Sequence, residues 1–589
     1  ALSSLHMNSS VALFIQTGQR VDHTFALTAE NQRSVVAICR HLHGLPLALE
    51  LAATGLAQMS SQALADALIQ SANQSSERDS TAKVVSTKGE NPLDLLQTSM
   101  RNMPVRHRAI TNVFAYSWEL LSDSEQQAAM QFALFRGGAD RGALVAITCK
   151  AQSTLTELVH KSLVQRDGDG RFAMHELLRQ FCLEQLDRSA DPTLVTNTRQ
   201  RHATYYLQSL HESELTIRGH DPQPLLTQLQ RDLDNLRQAW QWALHNGYWS
   251  LIDQSLSGLS RFYLLLGLLS EARHTMREAA GVLSTVPVEQ RMIAQEGISP
   301  EQLLARLLVT DAFFSNALAD YDAAVTVAQE VIAAPTSSHD GMISATAHLR
   351  WGEALWYKGE IETAQPHLTQ ALALVEDHIS SGQQWQPEIK ADALCVLGLI
   401  AVRKGDYSAA TVAYGESHRL SESLGDAYRS GRALYSLGTV YRNQAHYAEA
   451  RRYLALGLTI ARQTGDRHSE SRVLNSLGDI ELYQGNFRKA REYYLHVADF
   501  AAVVGDRRSE CIAQTNLGIV ARDLGQYGIA IENFNESLTL ARTIGFPRGE
   551  GWTLCCLSLL HHQQGRHREA LRFAREALVL FDHLGDRLG

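Results

Sequence analysis

The residues nearest to an enzyme site are His175-Glu-Leu-Leu-Arg179. A zinc-protease helix sets two histidines four residues apart so that both reach one ion while the glutamate polarises a water. Here arginine holds the second histidine position, so one ligand is lost. His41-x-His43 and His561-His562 are expected as surface histidines. Seven cysteines (Cys39, Cys149, Cys182, Cys395, Cys511, Cys555 and Cys556) form no CxxC pair and no closely spaced framework. Scattered cysteines of this kind are expected to be mostly small buried core residues of a reducing compartment. No GxSxG elbow occurs, and no GxxxxGK[ST] loop. Without the backbone amides and lysine of that loop, nothing in the chain cradles a triphosphate. The expectation is a chain with no catalytic residue and no metal site, one that binds rather than reacts.

At 589 residues the chain is too long for a single core. Its formal net charge of −9 runs opposite to the basic balance of a nucleic-acid binder. The longest strongly apolar run, Leu264 to Leu269, falls well short of membrane length. A cytoplasmic protein without a membrane partner is expected. The chain opens at Ala1 inside an apolar pattern, and we expect it to be a piece of a longer protein.

Internal repetition sets the fold. Leu397-Gly398, Leu437-Gly438, Leu477-Gly478, Leu517-Gly518 and Leu557-Ser558 recur every 40 residues. Each is followed by a turn residue (Gly405, Ala445, Gly485, Gly525, Gly565), then a ring (Tyr407, Tyr447, Phe487, Tyr527, His567), then an alanine (Ala410, Ala450, Ala490, Ala530, Ala570). A glycine closes each unit, from Gly425 to Gly585. The frame extends back through Gly352, Gly359 and Ala364 to Ala312, Ala319 and Ala324, with a six-residue insertion expected in HISSGQQWQPE and a fainter unit at Gly267 and Ala272. The small residues fit where two helices of a hairpin cross, and the glycine stops the first helix. The pattern resembles tetratricopeptide repeats, in a 40-residue version of their 34-residue period. A right-handed α-superhelix is expected, with the first helix of each hairpin lining a concave groove. That register nominates Arg432, Tyr435, Arg442, Asn443, Arg472, Asn475, Tyr483, Thr515, Arg522 and Trp552 as a partner-binding groove. Its arginines suit a carboxylate-bearing ligand.

The N-terminal third reads differently. An amphipathic helix is expected from Arg106, a capping box at Ser122 and Glu125, a break at Gly137-Gly138, and two short helices to His160. A β-hairpin is expected over Leu163 to Met174, and a helix from His175 to Leu186. Helices plus a β-wing describe a winged helix. Over Val105 to Asp187, nine Lys and Arg stand against ten Asp and Glu, a balance of −1 that argues against DNA contact.

Gly44-Leu-Pro-Leu-Ala-Leu-Glu50, the SWELL of Ser117 to Leu121, and Met174-His-Glu-Leu-Leu-Arg-Gln180 together resemble the back half of a STAND-class (NB-ARC-type) nucleotide-switch ATPase, in particular bacterial regulators of the maltose-regulator and antibiotic-regulator type. Asp232-Leu-Asp-Asn-Leu-Arg-Gln-Ala-Trp240 resembles the start of the repeat region in those regulators. The resemblance implies a mainly α chain. Residues 1–70 would be the remnant of the NB-ARC module, its helical ARC-type subdomain, and 71–104 a polar linker. Residues 105–190 would be the winged helix, 191–300 a helical connector, and 301–589 the repeats. It also implies that Pro46 packs near adenine and that His175 touches the β-phosphate of ADP. The family motif is Met-His-Asp, so Glu176 departs from it by one methylene.

The function expected is the regulatory and sensor portion of a STAND-type ATPase. ADP or ATP would bind only in the full-length protein, through an upstream nucleotide-binding domain. A protein, peptide or small molecule in the repeat groove would control the switch, with a homo-oligomer as the active form and transcription or defence as the output. The alternative is a stand-alone repeat scaffold that docks protein partners without nucleotide.

Overall fold

The computed structural model describes residues 9–42, 49–50, 52–53, 56, 59–66, 114, 117–150, 152–189, 191–286, 298–334, 341–382 and 386–583. Pro46, the polar stretch 70–91, the start of the helix expected from Arg106, and Gly585 lie outside the described residues. Two compact units are present: Ala1–Leu207 with Arg231–Ala243, and Gln208–Gln230 with Leu244–Gly589. The segment 191–300, expected as one connector, is divided between them.

In the first unit, α1 (Ser9–Val21) and α2 (Gln32–His41) pack together. Helix α3 (Asp123–Phe132) starts at a capping box. The Glu125 amide donates to the Ser122 hydroxyl, and the Ser122 amide donates to the Glu125 carboxylate at 2.7 Å. This satisfies two of the donors that every helix start leaves open. Next come α4 (Arg141–Thr148) and α5 (Gln152–His160), then β1 (Gln165–Arg166) paired antiparallel with β2 (Phe172–Ala173), then α6 (Glu176–Asp187). The hairpin turn is held by Asp167, whose Oδ1 accepts from the amides of Asp169 and Arg171. Gly137 and Gly138 both take positive φ, and Ala139 then bridges Phe172. A Cβ on Gly138 would strike the Phe172 carbonyl, so both backbone angle and close approach demand glycine there.

Helix α7 (Pro192–Glu212) brings His202 and Tyr206 against Phe135. It is followed by α8 (Glu214–Arg218), α9 (Gln223–Arg231) and α10 (Leu233–His245). Asn235 on α10 is wholly buried; it accepts from the Arg136 amide at 2.7 Å and donates to the Gly138 carbonyl at 3.0 Å. Beside it Asp232 pairs with Arg171, which also donates to the Gly138 carbonyl. The Asp-x-x-Asn of the 232–240 motif therefore latches the glycine turn and the hairpin to α10.

The second unit contains eight helical hairpins among the described residues. They are α11 (Trp249–Leu266) with α12 (Leu269–Thr285), α13 (Pro300–Ala317) with α14 (Tyr321–Ala333), α15 (Gly341–Lys358) with α16 (Ile361–Ser380), and α17 (Pro387–Arg403) with α18 (Tyr407–Ser423). The series continues with α19 (Ala427–Asn443) and α20 (Tyr447–Thr464), α21 (Arg467–Tyr483) and α22 (Phe487–Val504), α23 (Arg507–Asp523) and α24 (Tyr527–Thr543), and α25 (Pro547–Gln563) and α26 (His567–His583). From α13 onward, first helices of successive hairpins touch one another as well as their own partners, which makes them the inner layer. Part of the insertion is taken up by α16, which runs to Ser380 and outlasts its counterparts.

The repeated small residue has a direct cause. A Cβ on Gly398 would lie 2.6 Å from the ring of Tyr414, one on Gly438 2.6 Å from Leu454, one on Gly478 2.6 Å from Tyr494, and one on Gly352 2.7 Å from Leu368. In every case the bulky side chain sits sixteen residues after the glycine and is almost wholly buried. Each first helix leaves a notch, and each second helix fills it. Among the described residues no helix is long and apolar enough to cross a membrane.

Candidate ligand-binding cleft

The groove residues nominated from the later repeats meet different fates. Arg472 lies over the Tyr435 ring, 4.3 Å from its centroid, and no carboxylate pairs with it among the described residues. Arg432 stands 6.0 Å from the Tyr428 centroid and 3.9 Å from Asp392. Arg442 reaches across to Asp479 of the next hairpin at 2.5 Å and also donates to Asn443. Asn475 accepts from Asn516 at 2.8 Å, and Arg522 is turned onto its neighbour Asp523. Tyr483 and Trp552 are open to solvent, 63% and 52% exposed. Thr515, expected in the groove, lies in the hairpin core instead. It is buried, bonded to Ser537 at 2.7 Å and Thr553 at 3.0 Å, and cannot meet a groove ligand. Its frame position, shared with Tyr435 and Asn475, lies on the border between groove and core, and a small hydroxyl there sinks into the hairpin.

A concavity lies earlier in the repeat series. A cleft of about 710 Å³ opens among the end of α7 and helices α8, α11, α13, α15, α17 and α19. That size falls in the range of small-ligand sites, roughly 300–1,000 Å³. Its wall is a ladder of ion pairs. Arg429 grips Asp392 with two parallel bonds of 3.1 Å and also holds Asp426 at 2.6 Å. Asp426, wholly buried, also pairs with Arg261. Arg350 pairs with Glu353 at 2.7 Å and stands 3.9 Å from Asp392. Burial alone would raise the Asp392 carboxyl, but Arg429, Arg350 and Arg432 outweigh it and hold it well below the usual carboxylate range. Farther along, Arg306 meets Asp253 at 2.6 Å, and Arg218 is shared by Glu214 and Glu388. Burial raises the Asp253 carboxyl in spite of Arg306.

These residues were within reach of the repeat register. The frame position six before the small residue holds Arg432, Arg472 and Trp552 in the later repeats. Counted backwards across the insertion it falls on Asp392, Thr346, Arg306 and Gln254, all of which line the cleft.

In the first unit, His175 is exposed and caps α6, its Nδ1 accepting from the Leu177 amide at 3.3 Å. A neutral imidazole so engaged carries its proton on Nε2, a donor facing outward. Arg179 draws the Glu176 carboxyl down to about 2. Among the described residues no group of three or more His, Cys, Asp or Glu could hold a metal ion.

Residues 429–502 and 509–581 match the tetratricopeptide repeat family, and the later hairpins are tetratricopeptide repeats. A protein of Mycobacterium bovis, by name a candidate HTH-type transcriptional regulator, is 26% identical over 72% of this chain and 45% of its own length. A protein of the same description from Mycobacterium tuberculosis matches to the same extent. The chain thus spans about half the length of the curated relatives it matches. A signal transduction ATPase with numerous domains (STAND) from Pyrococcus horikoshii, a protein with a tetratricopeptide repeat sensor, superimposes with a TM-score of 0.59. The match covers 98% of this chain and 73% of that one at 13% identity. At that identity the likeness is one of fold: the chain is folded as in a STAND protein with a tetratricopeptide repeat sensor.

Proposed function

We propose that this chain is the regulatory and sensor portion of a STAND-type signal-transduction ATPase, and that its repeats bind a ligand that biases an ADP/ATP switch in the full-length protein. The observation that carries this reading is the fold likeness to a STAND protein, which runs through both units rather than the repeats alone. The relatives' description as transcriptional regulators supports transcription as the output. The 105–190 segment acts in this reading as a structural winged helix, and the Met174-His175-Glu176 turn faces the nucleotide. Toward a bound ADP this chain's described residues offer one donor, the Nε2–H of His175. Pro46 would add an apolar contact to adenine. The phosphate cradle itself would come from an upstream domain.

A ligand can bias such a switch only if it binds the two nucleotide states with different affinity. The assignment of His175 is tested on the full-length protein purified from its own cells. Losing one charge-assisted bond, about 1.5–3 kcal/mol, makes ADP release from His175→Ala about ten- to a hundredfold faster. An unchanged ADP content and release rate would remove His175 from the site.

A further inference from the structure

The cleft has two electrical poles. Around Asp392 the lining holds three guanidinium groups (Arg261, Arg350 and Arg429) and one carboxylate; Asp426, Glu353 and Arg432 pair with these from outside the lining, and the seven groups together carry +1. At the other end, two guanidinium groups (Arg218 and Arg306) face three carboxylates (Glu214, Asp253 and Glu388), a balance of −1. Beyond the positive end the inner layer continues to Arg472, a cation without an ion-pair partner among the described residues.

A second, independent feature lies at the positive end. The Nε–H groups of Arg261 and Arg350 are buried and meet no acceptor, although their side chains are only 10% and 11% exposed. A buried donor left unmade costs about 1–3 kcal/mol, so a rearrangement that gave either group an acceptor would be favoured, and both belong to arginines of the cleft wall. Polarity is not simply the consequence of exposure here. Leu256, Val309 and Phe313 line the same space, which gives an apolar body between the two poles.

We propose that the cleft binds a small zwitterion, an amino acid or short peptide, with its carboxylate toward Arg261, Arg350 and Arg429 and its ammonium toward Glu214, Asp253 and Glu388. The proposal deepens the sensor reading and rests on it, because it names the ligand class of the same repeats. A purely anionic ligand would set its charge beside the excess carboxylates Glu214, Asp253 and Glu388, and a purely cationic one would meet the arginine end. A zwitterion complements both, and each mismatch is costly in a partly buried site.

The test uses the whole chain and three mixed tripeptide libraries: free, N-acetylated and C-amidated. Binding is read by thermal shift and by native mass spectrometry. The free library should raise the melting temperature and give bound peptide masses, while either blocked library should bind at least tenfold more weakly. Two charge-removing variants keep the test independent of folding losses. Glu388→Gln should abolish discrimination against the N-acetylated library only, and Arg350→Gln discrimination against the C-amidated library only. No binding of free peptides, equal binding of blocked ones, or unchanged discrimination in both variants would overturn the proposal. Peptide binding needs no nucleotide, so failure here leaves the ADP result for His175 standing, and the reverse also holds.

Discussion

At the residue scale, the small-residue positions show why the repeat tolerates little variation. Gly398 is a notch for Tyr414, whose buried ring would lie 2.6 Å from an added Cβ. Gly398→Ala would gain about 1 kcal/mol of helix propensity and lose about 1–3 kcal/mol to overpacking. We expect a net destabilisation of up to about 2 kcal/mol, seen as a lower urea midpoint for the repeat unit; a higher midpoint would contradict the notch. One exception obeys the same rule: where the first helix carries Ala312, the position sixteen residues on is the buried Ala328, a larger notch residue with a smaller filler. The other, Ser558, has the exposed Ala574 at that position and donates its hydroxyl to the Ala570 carbonyl. The sequence displays this pairing because a fixed spacing within one hairpin leaves a fixed print. Thr515 shows where that print ends: the register gives the helix face, but whether a border residue turns outward or inward depends on its size and its neighbours.

At the element scale, the first unit is held by a polar latch that repetition could not reveal. The 232–240 motif was legible as a motif, yet its partners, the Gly137-Gly138 turn and Arg171, lie 60 to 100 residues away in sequence. The capping box and the hairpin turn were legible because their partners are local. Next to the latch, His202 is 2% exposed between Phe135 and Tyr206, and burial lowers its pKa to about 4 against a weaker opposing bond from Asn235. The folded chain therefore leaves it neutral down to about pH 4, while the unfolded chain takes up a proton near pH 6.5. Stability present above pH 6.5 is lost as pH falls from 6.5 to 4, by up to about 3 kcal/mol. Melting curves between pH 7 and 4.5 should show this loss, and His202→Phe should flatten it. An equally steep decline in the variant would place the acid sensitivity elsewhere.

At the scale of the whole molecule, the regular repeats and the divergent ones do different work. The regular hairpins from residue 427 onward turn most of their arginines onto neighbouring carboxylates or rings. The hairpins before them enclose the charged cleft, with Arg429 of α19 completing its wall. The frame continues through that region, but a six-residue insertion and weaker small-residue positions hide it from a search for exact period. Cleft formation also depends on seven helices meeting, which no single spacing encodes. In this account a ligand held there changes how firmly the full-length protein keeps ADP. The direct test is the ADP dissociation rate of that protein with and without a tripeptide shown to occupy the cleft. Coupling of about 1–3 kcal/mol predicts a change of at least fivefold. The same rate with the cleft filled and empty would contradict the switch and leave the repeats as a docking scaffold.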